Sequence, residues 1–154
     1  MHEPKNVDLV KDVYRAFQEN NFYVFLDCLD ENVKWFAIGP PHQIPTAGTR
    51  YGVEQVEQYF SLLSDSGELQ KLKPVEFISD DDKVVVIGEQ DYQVSKTGSI
   101  IRSPWAHVFT VRRGRITEFR AFYDTAAAVD AVDTVMSTQH RREVFSQHRV
   151  SGIF

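Results

Sequence analysis

The residues of this 154-residue chain whose types and spacing could do chemistry are gathered in one run, WAHVFTVRRGRITEFRAFYD, from Trp105 to Asp124. Arg113-Gly114 at its centre is a two-residue hairpin turn, with Val111 and Ile116 as the apolar pair beside it. Because side chains alternate along a strand, pairing outward from that turn sets Trp105 opposite Phe122, His107 opposite Arg120 and Phe109 opposite Glu118, with Asp124 further along the same face. Burying carboxylates, a guanidinium and an imidazole among aromatic rings costs on the order of several kcal/mol unless they pair or meet a polar ligand. The face is therefore expected to line a cavity. There Asp124 could carry a proton, although capping a following helix explains it equally well. His107 could donate to a ligand oxygen or be a satisfied core histidine, and Arg120 could orient a ligand or pair with Glu118.

The elements that must position these groups fall into two blocks. Val7, Val10, Val13, Tyr14 and Phe17 recur at helical spacing after Asn6, a reasonable N-cap, and Asn20-Asn21 ends that first helix. A short helix is expected over Phe22–Leu29, a strand over Val33–Ile38, and a long polar loop over Pro40–Tyr51 that could act as a lid. Val53, Val56, Phe60 and Leu63 mark a third helix. After Gly67 the pattern changes to strands over Leu72–Ser79, Lys83–Ser95, Ile100–Val111 and Arg115–Asp124, and Thr125–Met136 closes the series as an alanine-rich helix. Helices first and an antiparallel meander after them indicate an α+β architecture, with helices packed on one face of a bent sheet. Pairing across Thr97-Gly98 places Gln90 opposite Trp105 and Tyr92 opposite Ser103, adding Gln90 and Tyr92 to the mixed face. One domain is expected over residues 1–136. Residues 137–154 form a tail without clear periodicity, to be ordered by a partner subunit or not at all.

A net charge of -5 and a pI near 5.5 argue against a nucleic-acid partner, and Arg112, Arg113 and Arg115 are best explained as a solvated hairpin tip. The single cysteine, Cys28, excludes an internal disulfide and reads as a small core residue. The other histidines are scattered, so no metal site is expected. No phosphate-cradling loop, dinucleotide fingerprint or nucleophile elbow is present, so no cofactor is implied. No apolar run reaches the roughly 18 residues needed to span a bilayer and the N-terminus has no apolar signal core, which points to the cytoplasm and away from a membrane.

The runs VKWFAIGPPHQIPTAGTRYGVEQVEQYF and WAHVFTVRRGRITEFRAFYDTAA resemble the SnoaL-like, polyketide cyclase-like branch of the nuclear transport factor 2-like superfamily, related to ketosteroid isomerase. The likeness spans roughly residues 7–135. It implies a cone in which a strongly curved antiparallel sheet wraps around helices, a ligand cavity inside, and homodimerisation through the outer sheet face. Tyr14 falls about where the isomerases keep a phenol donor and His107 near their second donor, while Val33–Ile38 holds no carboxylate that could be their general base. The cyclases place an acid-base carboxylate near the position of Asp124. The expected function is binding of a small apolar or aromatic ligand bearing a carbonyl or hydroxyl, with cofactor-free acid-base chemistry of the cyclase, isomerase, dehydratase or hydrolase type. Asp124, His107 and Tyr14 would act on the ligand, and Trp35, Gln90, Tyr92, Trp105, Arg120 and Phe122 would hold it. The alternative is a non-catalytic ligand-binding or dimerisation module.

Overall fold

A computed structural model describes residues 3–133. The tail expected over residues 137–154 lies outside the described residues. Helices α1 (Glu3–Gln18), α2 (Phe22–Asp27) and α3 (Gly52–Ser66) pack against one curved, unclosed six-stranded sheet of β1 (Leu29–Ala37), β2 (Gly48–Tyr51), β3 (Gly67–Asp80), β4 (Lys83–Val94), β5 (Ile100–Arg112) and β6 (Arg115–Tyr123). The strand order is β2-β1-β6-β5-β4-β3. The α+β class holds, with one departure from a pure meander: β1 runs parallel to β6, while every other pair is antiparallel. Residues 125–133 are helical, as expected for the start of the closing helix.

Helix α1 begins before the expected cap, so Asn6 lies inside it and its side-chain amide donates instead to the Asp81 carbonyl. The stripe of Val10, Val13 and Tyr14 is buried against Trp105 and Phe109 on the concave side of the sheet. Two irregularities in β3, between Leu69 and Lys71 and between Pro74 and Glu76, bend the edge strand around the helices. Pro74 is tolerated there because an edge strand has a side without ladder partners.

The turn at Arg113-Gly114 is as expected. Both residues have positive φ, 54° and 73°, the conformation of a tight two-residue hairpin. The register beyond it is not. Val111 pairs with Ile116 but Thr110 pairs with Glu118, so Thr117 is an extra residue on β6. From there Phe109 faces Phe119, His107 faces Ala121 and Trp105 faces Tyr123. A one-residue slip exchanges the two faces of a strand. Glu118, Arg120 and Phe122 consequently lie on the outer face, and Phe119, Ala121 and Tyr123 replace them on the inner one. Between β4 and β5 the slip is two residues: Gly88 pairs with Trp105, Gln90 with Ser103 and Tyr92 with Ile101, which preserves the expected faces.

Gly88 is placed where a side chain has no room. A Cβ there would strike the Trp105 ring and the Lys73 carbonyl. Absence of the Cβ lets the indole lie flat across β4, which fixes one wall of the interior. Gly88→Ala is therefore expected to destabilise the protein by about 1–3 kcal/mol through overpacking, read from the midpoint of a urea titration.

Candidate functional site

The concave face and the helices enclose a cavity of about 160 Å³. Helix α1 contributes Val13, Tyr14 and Phe17, and α3 contributes Tyr59, Phe60 and Leu63. The sheet contributes Trp35, Gln90, Tyr92, Trp105 and His107 among others. Loop residues 44–46 and helical residues 128 and 132 close one end. Among the expected ligand-holding residues, Trp35, Gln90, Tyr92 and Trp105 thus share this wall, together with Tyr14 and His107. Arg120 and Phe122 do not, because the bulge at Thr117 turns them outward: the Arg120 guanidinium sits 3.7 Å from Glu118 and over the Phe122 ring. Asp124 is not on the wall either. Its carboxylate accepts from the Ala127 N–H at 3.0 Å, a helix cap, and its own N–H donates to Ser103 Oγ.

The polar feature of the interior is the pair Tyr14–His107. The phenol oxygen and imidazole Nδ1 are 2.7 Å apart and the two rings are nearly coplanar, at 3°. The pair exists because position 14 of the α1 stripe points at β5 and position 107 faces inward between Trp105 and Phe109. Trp105 stacks on the imidazole with centroids 3.9 Å apart, and Phe119 meets it edge-on. Burial pushes the imidazole pKa down to about 3 and raises the Tyr14 phenol well above its usual range. Both groups are neutral near pH 7. Either Tyr14 O–H donates to Nδ1 and Nε2 carries the imidazole hydrogen, or Nδ1–H donates to the phenol oxygen and the phenol hydrogen is left over. Each arrangement leaves one donor uncommitted.

Other polar groups complete the wall. Burial raises the Tyr92 phenol to about 12, and its hydroxyl donates to the Leu63 carbonyl at 2.5 Å. Tyr59 and Tyr123 are likewise pushed up by burial. Among the described residues the indole N–H groups of Trp35 and Trp105 are buried without a hydrogen-bond partner, each residue being 3% exposed. The Trp35 N–H neighbours the Tyr59 hydroxyl but does not meet hydrogen-bond geometry. Tyr59, on α3, is a cavity residue outside the stripe of Val53, Val56, Phe60 and Leu63, and Phe119 and Tyr123 are ones that alternation read from the wrong register does not find. The signal for the last two was available: the outward phase of β6 carries Glu118 and Arg120, the charges that belong in water. No cluster of three or more potential metal ligands occurs among the described residues. Cys28 donates to the Val24 carbonyl, and burial raises its thiol pKa, followed in effect by Asp12 and Asp27. No described helix is long and apolar enough to cross a membrane.

The depressed imidazole pKa has a stability consequence of definite sign. An unfolded histidine binds a proton below about pH 6.5, whereas folded His107 stays neutral until about pH 3. Between those values the unfolded chain holds the extra proton, so stability falls as pH drops through the window, by at most about 1.4 kcal/mol per unit, and is unaffected above it. The pH–stability curve of His107→Phe is expected to lack this component. Subtracting it from the wild-type curve, both from chemical denaturation, isolates the histidine from the carboxylates that titrate nearby.

Solved structures share the fold. An NTF2-like protein from Burkholderia xenovorans LB400 is 27% identical, aligned over 86% of this chain and 98% of that one with a TM-score of 0.76. An NTF2-like protein of unknown function from Burkholderia pseudomallei K96243 is 24% identical over 83% and 97%, with a TM-score of 0.77. TerC, co-crystallised with polyporic acid, is 22% identical over 84% and 98%, with a TM-score of 0.76. No curated protein matches the chain in sequence. Residues 10–119 match the SnoaL-like domain model, and the chain, with its curved sheet around a largely apolar cavity, belongs to that family of small-molecule-binding NTF2-like domains.

Proposed function

We propose that this protein binds a small apolar or aromatic molecule in the cavity and engages one of its oxygens with the Tyr14–His107 pair. The observation that carries the reading is the 2.7 Å bond between two neutral polar groups set in an otherwise aromatic wall. A buried donor without a partner costs about 1–3 kcal/mol, so a carbonyl or hydroxyl oxygen that accepts from the uncommitted hydrogen of the pair recovers part of that cost. Donors held rigidly in a site that excludes water also stabilise charge developing on a carbonyl oxygen, which is the chemistry of enolisation and of the aldol-type ring closures of cyclases. TerC, solved with polyporic acid, and neighbours described as SnoaL-like polyketide cyclases are consistent with an oxygenated ring compound as ligand. In this reading Asp124 serves as a cap, and the proton-handling groups are Tyr14 and His107.

The chain also works as a homodimer in this reading, through the outer sheet face. Val85 and Val108 pair across β4 and β5, and Phe36 contacts Phe122 on the same side; none of the four is fully buried. Val108→Asp is expected to convert a sedimenting dimer to a monomer, and a wild type that sediments as a monomer at micromolar concentration removes the assignment.

Saturation-transfer NMR with a set of ketone and phenol fragments tests the binding site. Tyr14→Phe is expected to weaken the oxygen-bearing hits by roughly 3- to 10-fold, the worth of one hydrogen bond, and to lower the melting temperature by a few degrees or so, because His107 Nδ1 is left buried without its partner. Asp124→Asn should bind as the wild type does, since asparagine also caps a helix. Full affinity in Tyr14→Phe together with lost affinity in Asp124→Asn would return the carboxylate to the central role.

A further inference from the structure

The wall of the cavity has a property that bears on what can enter it. No Asp, Glu, Lys or Arg lines it among the described residues; its titratable groups are one histidine and four tyrosines, all with burial favouring the neutral form. Arg50, a cation beside the wall, is committed elsewhere: its guanidinium donates to the carbonyls of Thr46 and Pro45 and lies over the Tyr59 ring, 5.2 Å from its centroid. Arg120, which could have balanced an anion, faces the other side of the sheet beside Glu118. A charged ligand would surrender its hydration and find neither a counter-ion nor more than a few neutral donors.

The volume is equally restrictive. An apolar cavity of about 150 Å³ is one that admits benzene, and 160 Å³ is available here. The bulk of the wall is rigid: Trp35 stacks on Phe119 at 3.9 Å, Phe60 is locked edge-on against Phe25 and Tyr59, and Trp105 lies over Gly88. The Tyr14–His107 pair is one hydrogen-bonding point of the wall, and Gln90 and the hydroxyls of Tyr59, Tyr92 and Tyr123 are others.

From these observations we propose that the ligand is an uncharged, single-ring compound bearing a hydrogen-bond-accepting oxygen, a cyclic or aryl ketone or aldehyde, and that the site rejects the corresponding carboxylate. The inference rests on the reading that the Tyr14–His107 pair is the polar end of a ligand site. It narrows that reading to a charge state and a size.

The test uses the full chain and three probes of known charge and size: acetophenone, benzoate and 2-acetylnaphthalene, titrated at pH 7 by NMR with the Trp35 and Trp105 indole N–H signals as reporters. Acetophenone is expected to saturate and to move both indole signals. Benzoate should bind at least roughly a hundredfold more weakly, because it must either enter as an unpaired ion or take up a proton well above the ordinary carboxyl pKa of about 4. The two-ring ketone should bind at least tenfold more weakly than acetophenone. Benzoate equal to acetophenone overturns the charge assignment, a two-ring ketone equal to it overturns the size assignment, and no saturation by any of the three overturns both. Tyr14→Phe and His107→Phe distinguish the layers: if acetophenone keeps its affinity in both variants while benzoate remains excluded, the class of ligand stands and the assignment of the polar end falls.

Discussion

The interior of this protein depends on a single extra residue. Thr117 is inserted between the pair Val111–Ile116 and the pair Thr110–Glu118, and that bulge decides which half of β6 faces the helices. With it, Phe119, Ala121 and Tyr123 complete an aromatic wall and the charged Glu118 and Arg120 meet water and each other. Without it, a carboxylate and a guanidinium would be driven among Trp105, His107 and Phe109, at a desolvation cost of several kcal/mol or so per ion. The bulge is held in place by its surroundings: Val111 N–H donates to the Asp82 carbonyl, Ile116 N–H to the Cys28 carbonyl, and the Thr117 hydroxyl to the Thr110 carbonyl. Three neighbouring segments thus fix one irregular turn of the ladder.

A cavity wall that carries no formal charge among the described residues operates under different rules from a carboxylate site. Its few polar groups gain strength from the low dielectric and from fixed orientation, and they suffer for the same reason when left unpaired. Tyr14 and His107 answer part of that cost by bonding to each other. Both groups are neutral in either imidazole tautomer, so the tautomer alone sets whether the pair presents the imidazole N–H or the phenol O–H to a ligand. The two unpaired indoles are the unresolved cost of the arrangement, and they lie in the same wall.

Much of the architecture is legible in the chain. The apolar stripes of α1 and α3 are long and periodic, the Arg113-Gly114 turn has the residue needed for positive φ, and both place Tyr14, Trp105 and His107 in the interior. The face of β6 is not legible by alternation, because the run FRAFYD carries an aromatic in either phase: Phe119 and Tyr123 in one, Phe122 in the other. Choosing between them requires weighing where Glu118 and Arg120 are solvated, an energetic criterion that a pattern count does not contain. Gln90 and Tyr92 were found despite a wrong register because the error was two residues, which leaves sides unchanged. The parallel pairing of β1 with β6 is a long-range contact that no local signal in Leu29–Ala37 specifies. The start of α1 shows the limit of capping rules: Asn6 has the right chemistry for an N-cap, yet the helix continues through it to Glu3.

Trp35 and Trp105 are the chain's two tryptophans, and both are sealed into the cavity wall on different strands. Every photon of indole fluorescence from this protein therefore originates at the site. Trp105 rests on the His107 imidazole and Trp35 on the Phe119 ring, so one emitter samples the surroundings of the imidazole and the other those of Phe119 and Tyr59. The fold carries its own optical gauge of occupancy, with no label to add and no background from elsewhere in the chain.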